Sequence, residues 1–150
     1  MELILEKDSA TIPFVLSQIL DTCINGITLS DPDQPDNPIV YANEAFELIT
    51  GYDREEIVGR NCRFLQGDDR EQPEIGRIRE ALRERKPVTV TLRNYRKDGE
   101  LFHNQFSIRP IYDPQGRLIY YLGTQYDVTE KLRSEEELRR LNALLAAVDK

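Results

Sequence analysis

Three consecutive runs rich in β-branched and aromatic residues fill the C-terminal half of the chain: "PVTVTLRNY", "ELFHNQFSI" leading on into "RPIY", and "RLIYYLGTQYDV". Such runs read as strands. The first two are joined by "RKDGE", whose Asp98-Gly99 pair favours the positive φ angles of a tight hairpin. The second connection, "DPQG", is built from turn residues. Strands joined by such short turns pair antiparallel. This meander limits the chain to folds with an antiparallel sheet. The rest of the sequence must supply what covers it.

Upstream, "GITLS" and "IVYA" read as two further short strands, separated by the Pro/Asp turn region "DPDQPDNP". Helical segments come next. Asn43 can N-cap a helix over Glu44 to Thr50, with Gly51 at its C-terminal end. Asp53 and Glu56 have the spacing of a capping box for another short helix that stops near Gly59. Pro73 to Arg85 is the longest helix of the middle region, with Ile75, Ile78 and Leu82 as its apolar stripe. Arg79 falls within about 40° of the centre of that stripe, whereas Arg77 points away. An arginine at such a border commonly lays its stem on apolar surface and keeps its head in water. Helices between two N-terminal and three C-terminal strands give an α+β class, an antiparallel sheet with helices packed on one face. A length of 150 residues, 39% of them hydrophobic, suits one domain with one core.

Side chains alternate between the two faces of a strand. Val90, Leu92 and Asn94 therefore share one face, as do Phe102, Asn104, Phe106 and Ile108, and again Tyr121, Gly123 and Gln125. Each strand sets an amide among apolar or aromatic residues. One such amide is ordinarily solvated at a strand end. Three on a single face need partners, because each offers both donors and acceptors. A planar heterocycle with alternating carbonyl and N–H groups would satisfy them, and Gly123 would let something approach the sheet closely. The pattern points to a pocket between sheet and helices, apolar with a few convergent polar groups.

The chemistry-bearing residues are few. There are two cysteines, Cys23 and Cys62, and one histidine, His103. No CxxC, HExxH or Cys/His cluster is present, which argues against a metal site. There is no GxxxxGK[ST] or GxGxxG phosphate loop. Net charge is −7, the opposite of the balance expected for a nonspecific nucleic-acid binder. No apolar run approaches about 18 residues, so no membrane span is expected. "MELILEKDSATIPF" has neither the apolar stretch nor the cleavage site of a signal peptide, so a cytoplasmic chain with reduced thiols is expected. Cys62 stands between Asn61 and Arg63. It is either a packing residue or a thiol held close to a reaction partner. A nucleophile–base pair with His103 has no local support.

The segment "GRNCRFLQG" resembles the signature of light-oxygen-voltage (LOV) domains, the blue-light-sensing branch of the PAS family. The resemblance extends over "DPDQPDNPIVYANEAFELITGY", "NYRKDGELFHNQFSI" and "YYLGTQYDVTE", from about Gly26 to Glu130. "CRFLQGDDR" with "LRNYRKDG" is most similar to short bacterial LOV proteins. The resemblance implies a five-stranded antiparallel sheet with short helices over one face and flanking terminal helices. It also implies a noncovalent flavin, usually FMN, between sheet and helices. Carried over by position, Cys62 is the photoreactive thiol, which bonds reversibly to flavin C4a after blue-light excitation. Asn61 and Gln66 would bond the ribityl chain or ring. Arg63 and Arg79 would bind the phosphate, with Arg70 as a further phosphate residue. Asn94 and Asn104 would bind the pyrimidine edge, and Gln125 would face the flavin O4/N5 side. Thr28, Ile39, Leu65, Leu82, Phe106 and Ile108 would wall the ring, and Tyr121 and Gly123 complete the set. Thr28 and Tyr121 depart from the usual aliphatic and phenylalanine residues, and His103 stands where tryptophan is common.

A photocycle rather than enzymatic turnover follows from this resemblance. A thiol enzyme would need an activating base, a haem-binding PAS domain an axial ligand, and a pure dimerisation module would not need the three amides. The expected organisation is an N-terminal cap helix within residues 1–24, a core over 25–130 and a C-terminal helix over 131–150. Leu16, Ile19, Leu20 and Cys23 form a helical stripe that needs a partner. Leu138, Leu141, Leu145 and Val148 recur at coiled-coil spacing. A parallel homodimer through these terminal helices is expected. The alternative is a tail helix folded back on its own domain.

Overall fold

The computed structural model describes residues 11–148. Residues 1–10 and 149–150 lie outside it, and with them the expected start of the N-terminal segment, the reading of "MELILEKDSA" against a signal peptide, and the end of the tail.

Five strands form one antiparallel sheet: β1 (Gly26–Ser30), β2 (Ile39–Ala42), β3 (Val88–Tyr95), β4 (Leu101–Tyr112) and β5 (Leu118–Asp127). Their order is β2-β1-β5-β4-β3. The C-terminal meander is present as expected, with "RPIY" continuing β4. The register sets Leu92 opposite Asn104 and Phe106 opposite Gln125. β5 then pairs with β1, which sets Thr28 opposite Gly123. The last strand is thereby the central one, with the first strand beside it. Alternation holds along the paired strands: Val90, Leu92 and Asn94 on β3, Phe102, Asn104, Phe106 and Ile108 on β4, and Tyr121, Gly123 and Gln125 on β5 are all buried.

Helices α1 (Thr11–Asp21), α2 (Glu44–Thr50), α3 (Arg54–Ile57), α4 (Pro73–Glu84) and α5 (Thr129–Val148), with a 3-10 turn over Cys62–Gln66, are the other elements of the described residues. Ile75, Ile78 and Leu82 of α4 pack on Val90, Leu92, Phe106 and Ile108. A second cluster joins Ile39, Ala42, Phe46, Ile57 and Leu65. Burying each of these large side chains contributes about 1.5–3 kcal/mol as an upper figure.

Asn43 caps α2 through Oδ1, which accepts from the Phe46 amide at 3.2 Å and also from Ile27 N at 2.8 Å. Its Nδ2 donates to Leu20 O and Asn25 O, so one side chain ties α1, β1 and α2 together. Gly51 ends α2 at φ 78°, a left-handed position that suits glycine. The capping box expected at Asp53 is absent: Asp53 is the N-cap residue, but its side chain makes no cap bond. Glu47 accepts from the first amide of the helix, Arg54 N, at 3.0 Å, and the Glu56 carboxylate accepts from Lys97 Nζ at 2.6 Å.

α5 begins at Thr129, ahead of the boundary expected at 131. Its start is fixed by Asp127, which accepts from Thr129 N at 3.0 Å and pairs with Arg96 at 2.8 Å. Beyond that point it does not fold back: α5 has no buried residue, and Leu138, Leu141, Leu145 and Val148 are all exposed. Phe14, Leu16 and Ile19 of α1 are exposed as well.

Candidate cofactor site

Sheet and helices enclose a cavity of about 250 Å³. Leu65, Leu82, Leu92, Phe106, Ile108, Ile75 and Ile78 form its apolar walls. Asn94, Asn104 and Gln125 line it from three neighbouring strands. Asn61, Arg63, Gln66, Arg70 and Arg79 give it a polar, cationic end, and Cys62 lines it as well.

The 3-10 turn places Cys62. Asn61 caps the turn, its Oδ1 accepting from Arg63 N at 3.0 Å. Backbone bonds from Ile39 N to Arg60 O and from Gly59 N to Ile39 O, each 2.8 Å, hold the approach to the turn on β2. Leu65 and Gln66 are buried one turn further on. Cys62 keeps part of its surface accessible, yet desolvation pushes its thiol up to about 11, outweighing the lowering effect of Arg63. The sulfur therefore keeps its proton at neutral pH. His103 points away from the cavity, between the inward residues Phe102 and Asn104 on β4, so it cannot serve as a base for this thiol.

The three amides are connected but not satisfied. Asn104 Nδ2 donates to Asn94 Oδ1 at 3.0 Å, and Asn94 Nδ2 donates to Arg93 O at 2.9 Å. Gln125 Nε2 donates to Thr28 Oγ1 at 3.3 Å. Asn104 Oδ1 and Gln125 Oε1 are buried without a partner. Buried acceptors left open cost about 1–3 kcal/mol each. The one ring N–H of an oxidised flavin would satisfy an acceptor on the asparagine side, and Gln125, turned about its amide so that Oε1 takes the Thr28 hydroxyl, would offer its NH2 to the acceptors of the ring, so these amides fit a flavin.

At the cationic end, Arg63 pairs with Asp36, and Arg70 Nε donates to Gly67 O at 3.0 Å. Arg79 lines the cavity from α4, so its place at the border of the apolar stripe serves the mouth of the pocket.

Four residues expected around the ring lie behind the lining. Ile39 is fully buried in the β2 cluster. Tyr121 packs in the main cluster, with its hydroxyl donating to Leu82 O at 3.2 Å. Thr28 lies under Gln125. Gly123 makes room for Thr28 rather than directly for a ligand, since a Cβ there would stand 2.5 Å from Thr28 Oγ1. Conversely, Ser30, Asn37, Ile75, Ile78 and Leu92 line the cavity beyond the set that the resemblance implies. Ser30 follows from the alternation of β1. The stripe positions Ile75 and Ile78 and the face position of Leu92 were legible as core. Asn37 carried only a turn signal.

Residues 24–130 match the PAS domain family. The chain is 45% identical over 126 residues to a blue-light photoreceptor of Listeria monocytogenes, covering 84% of this chain and 49% of that protein. It is 48% identical to blue-light-activated histidine kinase 1 of Erythrobacter litoralis, covering 79% of this chain and 34% of the kinase. A solved LOV domain, studied with a flavin analogue, superposes with a TM-score of 0.72 at 40% identity, covering 90% of this chain and 99% of that one. This chain is a LOV domain of the PAS family. An RNA-binding LOV receptor matches all of this LOV domain, with a TM-score of 0.81 and 37% identity, over 43% of the receptor chain. The LOV domain spans about half the length of the Listeria protein and a smaller share of the kinase. Among its described residues no helix is long and apolar enough to cross a membrane.

Proposed function

We propose that this LOV domain is a blue-light sensor that binds FMN noncovalently in the cavity and uses Cys62 as its photoreactive thiol. One observation carries the reading: two partnerless acceptors, Asn104 Oδ1 and Gln125 Oε1, are buried on residues that line the same cavity as Cys62. When bound, the flavin supplies blue-light absorption and a ring carbon with which the Cys62 sulfur reacts reversibly.

The remaining work belongs to the chain. Asn94 and Asn104 orient the ring by its polar edge. Leu65, Leu82, Phe106 and Ile108 hold its faces and exclude water, with Ile39, Tyr121 and Gly123 shaping the wall from behind. Asn61 and Gln66 bond the polyol chain. Arg63, Arg79 and Arg70 bind the phosphate through charge-assisted hydrogen bonds, which favours FMN over riboflavin. Cys62 brings its own proton to the site, because its thiol is held neutral. Gln125 can present either its oxygen or its NH2 to the site, and the Thr28 hydroxyl can partner it in both orientations.

The output runs through the ends of the domain. Gln125 stands two residues before Asp127, which fixes the start of α5. Exposed apolar residues on α1 and α5 support a homodimer through the terminal helices. The relatives it matches are about two to three times as long as the matched segment, and the domain reads as a sensor that acts on its effector through α5. The purified protein is expected to be yellow and to release FMN on denaturation, identified by chromatography. A colourless protein that takes up no flavin on reconstitution would overturn the proposal.

A further inference from the structure

The connection between β1 and β2 reaches the cationic end of the cavity. Asp36 and Asn37 within it adopt φ angles of 66° and 52°, left-handed values that Asp and Asn tolerate better than other side chains. Asn61 holds this turn, its Nδ2 donating to Asp36 O at 2.7 Å. The turn sets the Asp36 carboxylate against the Arg63 guanidinium. It also sets Asn37 Oδ1, buried and without a partner, on a residue of the cavity lining. Among the described residues, Arg63 is the one of the three mouth arginines that pairs with a carboxylate.

An anion placed among cations that would receive a phosphate has a physical consequence. The guanidinium presents its donors in a fixed fork, and a carboxylate already on that fork leaves fewer for a second anion. The carboxylate charge also repels a phosphate dianion a few ångströms away, weakened by solvent because the pair is about half exposed. Resting on the reading of the cavity as the FMN site, we propose that Asp36 is a specificity-determining residue. It competes with the ligand phosphate for Arg63 and so lowers the preference of the site for phosphorylated over unphosphorylated flavin. Its role is distinct from that of the arginines, because it acts against the ligand's charge and leaves the ring and polyol untouched.

A merely structural role gives a different outcome. If Asp36 only held the loop in place, removing its charge would weaken FMN and riboflavin alike. The test is titration of the flavin-stripped full chain with FMN and, separately, riboflavin, followed by flavin fluorescence. Asp36→Asn keeps a side chain suited to the left-handed φ, and Asp36→Gly serves as a second variant. Either is expected to raise the FMN-to-riboflavin affinity ratio about three- to tenfold through FMN alone, and by less when Arg63→Ala is also present, because only the direct repulsion of the phosphate then remains. A ratio that stays at the wild-type value in chains that still bind flavin, or a parallel loss for both ligands, overturns the role of Asp36 alone. A wild-type chain that binds neither flavin overturns the cofactor reading together with it.

Discussion

Gln125 on β5 donates through Nε2 to the Thr28 hydroxyl on β1 at 3.3 Å, while the Oε1 of the same amide is buried without a partner. One half of the amide is anchored to the sheet and the other half is left for whatever occupies the cavity. Gln125→Leu removes both halves. The variant is expected to bind flavin and to bleach in blue light, with a small blue shift of its spectrum and a reduced light-dependent structural change. Difference infrared spectroscopy and hydrogen exchange of α5 check this. A structural change of wild-type size in the variant would remove Gln125 from the signalling path.

Arg63 and Arg79 approach the cavity mouth from the 3-10 turn and from α4. Charge-assisted hydrogen bonds to a phosphate are worth about 1.5–3 kcal/mol each. The double variant Arg63→Ala, Arg79→Ala is expected to lose FMN affinity by at least about tenfold and to carry a larger share of riboflavin after expression. Chromatography of the extracted flavin measures that share. An unchanged FMN fraction and affinity would return both arginines to the surface.

The strand meander, the inward amides and the α4 stripe were legible because each rests on a local period or a local turn. Alternation alone put Asn94, Asn104 and Gln125 on inner faces. The pairing of β5 with β1 was not legible, since it joins residues about a hundred positions apart and nothing local encodes it. That pairing decides what Gly123 is for: its missing side chain accommodates Thr28 from the neighbouring strand. The part of Asn37 in the cavity lining was hidden for a similar reason. A Pro/Asp-rich stretch announces a turn, but not that the turn bends back onto the 3-10 segment carrying Cys62. The Asp53 capping box was overridden by a distant partner: the Glu56 carboxylate that the spacing assigned to it accepts from Lys97 Nζ, on the turn after β3.

Burial raises the Cys62 thiol from an ordinary 9.0 to about 11. A proton held more tightly in the folded chain than in the unfolded one stabilises the fold fully below pH 9, and that contribution is lost as pH rises through 11. Denaturation midpoints of wild type and Cys62→Ala, measured across this window, are expected to diverge, with wild type falling more steeply. Parallel curves would show that the thiol is not desolvated.

Leu138, Leu141, Leu145 and Val148 are exposed on α5, and Phe14, Leu16 and Ile19 on α1. A parallel dimer would cover these residues, and the anchoring of α5 by Asp127 would couple its angle to β5. Spin labels at the exposed Ser134 are expected to report an inter-subunit distance that changes on illumination. A chain that sediments as a monomer in dark and light, or a dimer whose distance stays fixed, would contradict this arrangement.

The role of Cys62 is tested most directly by the absorption spectrum of the purified protein before, during and after blue light, for wild type beside Cys62→Ala. Wild type is expected to lose its blue absorption band under illumination and to regain it in the dark. Cys62→Ala should keep the band and its fluorescence throughout. Reversible bleaching that persists in Cys62→Ala, or a flavin-loaded wild type that does not bleach, would contradict the assignment of Cys62 as the light-reactive group.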